Sequence, residues 1–272
     1  MRSYYSLLAH CFCTTWLLLG LGACHSPTNS KPNDNLAVQK DTIAAGSLAP
    51  TYEIADYDTI HINGYTMYFE PYDSVGIDPY FADSLFPTVV DSNNYKSARE
   101  TYELYKGKSC TNCFERVNDT LTVFALNGKS NTFIDDNSEE GDSWARYYFD
   151  GLKNGYYIVT GYFYEWGNTF IINAESGKMT TLFDYPYFSP NNKWILVANN
   201  DDSGLEENAI AYYNIISNDS IEKQFQIDIS TWGPAGIKWI GNDEAIIKKQ
   251  SFSLENTAPY TYTYTKMTIT KP

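Results

Sequence analysis

Cys110-Thr111-Asn112-Cys113 is the densest chemical signal in the 272-residue chain, because two thiols so spaced can close a local disulfide or cycle between thiol and disulfide. A dithiol catalyst needs its first cysteine after a strand and at a helix N-terminus, where the helix dipole stabilises the thiolate. Here the pair follows an expected helix end at Gly107, so a structural disulfide is the expectation and a redox-active pair the alternative. Zinc would need two further ligands, and beyond residue 23 the histidines are only His25 and His61. Haem attachment would need histidine after the second cysteine, where Phe114 stands. His61 lies in a strand pattern with no evident nucleophile, which makes it a surface cross-strand residue and not part of a Ser-His-Asp arrangement. Asp150 and Asp184 are carboxylates of the kind glycoside hydrolysis uses, at a separation the sequence does not fix. Acidic loops at 135–142 and 199–207 place oxygens for a hard cation, but position twelve of an EF-hand register falls on Tyr147 and Ile210, so both read as solvated loops. No catalytic residue, metal ligand or cofactor is assigned, and the aromatics that would bind a ligand are unknown.

The elements that must position these groups belong to an acidic, aromatic-rich chain. There are 33 Asp+Glu against 19 Lys+Arg, a net charge of −14, and 24 tyrosines. Such a field repels phosphate backbones, and no basic run interrupts it, so nucleic-acid binding is excluded as a reading. With 43% hydrophobic residues the chain can build a sizeable core.

Residues 1–23 form an expected signal peptide: Arg2, then a mostly apolar stretch carrying Trp16-Leu17-Leu18-Leu19-Gly20-Leu21. It ends Leu21-Gly22-Ala23-Cys24, which resembles the lipobox of bacterial lipoprotein precursors: an aliphatic residue, two small ones and the cysteine that is lipidated. The resemblance implies acylation at Cys24, loss of Cys11 and Cys13 with the signal, and a lipid anchor in the bacterial cell envelope, the outer membrane being the expected site. Residues 24–50 then read as the lipidated cysteine and a flexible tether with Pro27, Pro32 and Pro50, holding the folded part about 25–30 Å from the lipid on average.

From Thr51 the pattern is all-β and mainly antiparallel, with one short helix near 95–106. Asn63-Gly64, flanked by 58–62 and 65–69, marks a type I′ hairpin, and a second joins 121–126 to 132–134 across Asn127-Gly128-Lys129. Tyr95, Ala98, Tyr102 and Tyr105 recur at helical spacing, Ser92 or Asn93 can cap the helix, and Gly107 sits where a left-handed C′ residue belongs. Residues 51–146 and 147–272 are expected to form one continuous domain.

The C-terminal half repeats itself. Segments beginning at Phe149, Phe188 and Trp239, 39 and then 51 residues apart, each run aromatic, turn, β-branched strand. The middle copy, Phe188-Ser189-Pro190-Asn191-Asn192-Lys193-Trp194-Ile195, resembles the TolB-type β-propeller repeat, with asparagines in place of its Asp-Gly. That resemblance implies propeller-like sheets; a β-sandwich is the alternative. The functional expectation is a membrane-anchored envelope lipoprotein whose non-catalytic β-rich domain binds proteins or glycans. A hydrolase or dithiol oxidoreductase, and an assembly component of an envelope complex, are the alternatives.

Overall fold

The computed structural model describes residues 49–73, 75, 81, 95–138, 144–164, 166–201, 208–251 and 260–272. Cys24, the expected signal segment, the expected tether up to residue 48, Ser92, Asn93 and parts of both acidic loops lie outside them. The strands are β1 (Thr51–Tyr52), β2 (Thr59–Ile62), β3 (Tyr65–Pro71), β4 (Phe114–Val117), β5 (Thr120–Phe124), β6 (Ser130–Ile134), β7 (Ala145–Lys153), β8 (Tyr156–Phe163) and β9 (Trp166–Asn173). They continue as β10 (Met179–Leu182), β11 (Pro186–Phe188), β12 (Trp194–Asn199), β13 (Ala209–Ser217), β14 (Ser220–Ile229), β15 (Trp232–Trp239), β16 (Glu244–Ser251) and β17 (Tyr262–Thr270). The helix α1 spans Tyr95–Lys106.

Four sheets follow one another along the chain. Sheet I is β4-β5-β6, sheet II β10-β9-β8-β7, sheet III β1-β14-β13-β12-β11, and sheet IV β15-β16-β17-β3-β2. Every pairing is antiparallel except the short β1–β14 contact. In sheet IV the N-terminal strand β3 pairs with the C-terminal strand β17, so the two ends of the folded region are joined by a hydrogen-bonded ladder. The β2–β3 turn is the expected one, with Asn63 at φ 51° and Gly64 at φ 82°, and the β5–β6 hairpin closes as the sequence predicts.

Consecutive sheets pack face to face. Leu121, Val123 and Phe133 of sheet I meet Tyr147, Phe149 and Val159 of sheet II. On the opposite face of sheet II, Tyr156, Ile158 and Ile171 meet Ile195, Val197 and Tyr213 of sheet III. The far face of sheet III, with Leu196, Ile210 and Tyr212, meets Met67, Ile247 and Met267 of sheet IV. Sheets II and III are therefore covered on both sides, which is why Tyr156-Tyr157-Ile158-Val159 and Ile195-Leu196-Val197-Ala198 are unbroken buried runs. A two-sheet sandwich has no such doubly covered sheet.

The three repeat copies occupy corresponding places, the first hairpin of sheets II, III and IV. Their leading aromatics all reach back to the preceding sheet. Phe149 stacks on Phe114 of sheet I at 4.4 Å, Phe188 on Tyr156 of sheet II at 5.7 Å, and the indole N–H of half-buried Trp239 donates to Tyr187 O of sheet III at 2.8 Å. The isoleucines that follow are less equivalent: Ile158 faces sheet III and Ile195 faces sheet II. Counting from sheet I to sheet IV, one looks forward and the other back. The ladders pair Phe149 with Val159 and Phe188 with Ile195, so the counterpart of Ile195 is Val159, one residue past Ile158, and both look back to the preceding sheet.

Candidate functional site

Helix α1 has the predicted bounds, and its buried face shares Tyr102 with the expected one but not Tyr105. Tyr105 is exposed, whereas Arg99, Tyr102 and Glu103 are buried. The apolar periodicity misleads because what the helix buries is largely charge. Gly107 is also corrected. The chain passes from α1 into a 3-10 turn, Gly107–Ser109, without positive φ, and the glycine is needed because a Cβ there would lie 2.4 Å from the Phe114 ring.

The buried charges serve the edge of sheet II. Strand β7 is the last strand of that sheet among the described residues, so its outward N–H and C=O groups need partners. Ala145 exchanges both hydrogen bonds with Asp136. Tyr147 N–H donates to Asp135 Oδ1 at 2.8 Å, Arg116 Nη2 donates to Tyr147 O at 2.6 Å, and Phe149 N–H donates to Glu103 Oε1 at 3.0 Å. Past the bulge at Gly151, Leu152 N–H donates to Ser109 Oγ at 3.2 Å. Arg116 grips Glu103 through Nε and Nη2, at 2.7 and 2.6 Å, and both Arg99 and Arg116 pair with Asp135. Two cations thus face two anions, so no net charge is buried, and the remaining lone pairs are spent on backbone donors.

Sheet I leaves room for this arrangement. Its β5–β6 hairpin lies beside the β9–β10 turn, Leu126 N–H donating to Ala174 O at 2.8 Å, so β4, β5 and β6 correspond to the second to fourth strands of sheet II. Among the described residues no first strand appears, and the element beside β4 is α1.

Next to the ion network, the Asp150 carboxylate on β7 accepts from Tyr102 Oη of α1 at 2.6 Å and from Thr160 Oγ1 of β8. Burial pushes its pKa up to about 6, against the lowering effect of those two hydrogen bonds and of nearby Lys106. The same cluster raises the Tyr102 and Tyr185 phenols, chiefly by burial and then by the Asp150 charge.

The Cys110 and Cys113 sulfurs lie within disulfide-bonding distance, with Cα atoms 5.8 Å apart, as the spacing predicts. Cys113 is buried and Cys110 half-buried. Both line an open concavity of about 470 Å³ between α1 and β4, with Glu100, Leu104, Lys108 and Phe114 among its walls. His61 is exposed and bonds Thr66 across the hairpin, as expected of a surface residue. Asp135, read from the sequence as part of a solvated loop, is instead buried and consumed by arginines and a backbone amide. Among the described residues there is no cluster of three or more histidine, cysteine or acidic side chains arranged for a metal. No helix of the described residues is long and apolar enough to cross a membrane.

One accessible aromatic stack lies at the β8–β9 hairpin, where Phe163 and Trp166 pack with centroids 4.0 Å apart and 15° between planes. Trp166 is 48% exposed and Tyr164 55%. Tyr162-Phe163-Tyr164 is part of the tyrosine richness visible in the sequence, which does not single out Trp166. For Arg99 and Glu103 the only local signal was opposite charge at i, i+4 spacing.

Comparison with known proteins adds no relative: no family model, no curated protein and no solved structure matches the chain.

Proposed function

We propose that the chain is a lipid-anchored protein of the bacterial cell envelope whose β-rich domain binds protein or glycan without catalysing a reaction. The observation that carries the binding half is the Phe163–Trp166 stack at a hairpin tip with Tyr164 beside it, since exposed rigid rings are what sugars stack on and partner proteins anchor to. The buried carboxylates support the same reading. Glu103 and Asp135 accept from backbone amides and arginines, and Asp150 accepts from Tyr102 and Thr160, so each is committed to holding the fold. The anchor half rests on Leu21-Gly22-Ala23-Cys24.

Two measurements test the two halves separately. Cys24→Ser should move the protein from the membrane to the soluble fraction; a variant that still pellets with membranes and keeps its signal segment contradicts the anchor. Full-length protein in detergent, screened against immobilised glycans and envelope proteins, should give a signal that Trp166→Ala removes while leaving the thermal midpoint unchanged. Binding that survives the substitution contradicts this location for the site.

A further inference from the structure

We propose that the Cys110–Cys113 pair is a thiol–disulfide exchange site that accepts electrons from an external dithiol, with Cys110 as the attacked sulfur. The inference does not depend on what the aromatic hairpin binds.

Access decides which sulfur reacts. Cys113 is 3% exposed, its carbonyl accepts Phe124 N–H at 2.8 Å, and its side chain packs into the core between sheets I and II. Cys110 lies outside the β4–β5 ladder and is half-buried, and the open concavity whose wall the two cysteines share gives an approach to it. A thiolate of an incoming dithiol therefore reaches Cys110 Sγ. It bonds to that sulfur, the S–S bond breaks, and its electron pair leaves on Cys113 Sγ, which takes a proton from solvent. The partner's second thiolate then attacks its own sulfur in the mixed disulfide and releases Cys110, which is protonated in turn. Two electrons and two protons have passed to the chain, and the partner is left as a disulfide.

The same geometry keeps the reduced pair from acting as a catalyst. Cys110 directly follows the 3-10 turn that extends α1, and its N–H donates to Gly107 O at 3.0 Å. It sits at the C-terminal end of the helical segment, where the negative end of the dipole disfavours a thiolate. Once reduced, the pair is a weak nucleophile and does not pass its electrons on to other disulfides. Reduction instead unties the end of α1 from the start of β4, freeing Ser109, whose hydroxyl caps Leu152 N–H on the edge of sheet II.

The test uses full-length protein in detergent at neutral pH under native conditions, with dithiothreitol as the dithiol probe and site-resolved alkylation read by mass spectrometry. The pair should open while tryptophan fluorescence stays native, and the Leu152 amide should exchange faster in the reduced protein. Cys113→Ser should react with Ellman's reagent at Cys110 roughly tenfold faster or more than Cys110→Ser reacts at Cys113, as their exposures require. Reduction only after unfolding, or equal labelling of the two variants, would overturn the proposal. So would turnover of insulin disulfides by the reduced protein, which would make the pair a catalyst. The wild-type reduction experiment holds even if a variant fails to fold.

Discussion

The joints between sheets II, III and IV and the joint between α1 and sheet II solve one problem with opposite chemistry. In the first set an aromatic ring at the end of each leading strand reaches back onto the preceding sheet, and apolar runs fill both faces. In the second, an exposed strand edge faces a helix that offers Arg99 and Glu103, and the backbone of β7 is satisfied by carboxylates and a guanidinium. The difference follows from what each partner leaves unmet. A sheet face has already paired its backbone and needs only apolar cover, whereas a sheet edge still has donors and acceptors to satisfy.

Phe149 combines both kinds of chemistry, its ring stacked on Phe114 of sheet I and its N–H bonded to Glu103. Phe149→Ala should therefore have the largest effect, lowering stability by about 3–5 kcal/mol in a denaturant titration. Glu103→Ala strips Arg116 of its bidentate partner and Phe149 of its acceptor, and should cost about 3 kcal/mol. If that substitution is as mild as an exposed one, the charged joint is ornamental and the comparison fails.

Asp150 sharpens the contrast through pH. Its folded pKa is raised to about 6 because burial disfavours the ionised carboxylate. The folded state therefore binds the proton more tightly than the unfolded chain. This contribution is fully present below the unfolded value of 3.8 and is lost as pH rises through about 6. Between pH 4 and pH 7 the loss should be no more than roughly 3 kcal/mol. Asp150→Asn should flatten that part of the stability profile, and an unchanged slope would show that the titrating group lies elsewhere.

Trp194 gives the smallest expected effect. It is half-buried, stacked on Tyr212 at 5.1 Å with Lys271 4.0 Å from its ring, so Trp194→Ala should cost only about 1–2 kcal/mol, less than a core tryptophan.

These two kinds of joint were unequally legible in the sequence. The aromatic joints repeat locally, so Phe149, Phe188 and Trp239 could be aligned from spacing alone, and hairpins such as Asn63-Gly64 carry their own turn chemistry. The charged joint has no such local mark. Arg99 meets Asp135 36 residues away and Glu103 meets the Phe149 amide 46 residues away, so their partners depend on a tertiary arrangement that periodicity does not encode. The helix bounds followed from spacing, but the apolar positions pointed to Tyr105, which the structure leaves exposed. Gly107 was read as a backbone-conformation signal when its role is to admit the Phe114 ring.

Native-state hydrogen exchange, resolved by residue, compares the two joints in one molecule. In Glu103→Ala the account predicts that protection at the Phe149 amide falls first and furthest, while Leu196 and Val197 in the core of sheet III keep the protection set by global unfolding. Uniform loss across all four sheets, or an unchanged Phe149 amide, would contradict the claim that a buried carboxylate closes the edge of sheet II.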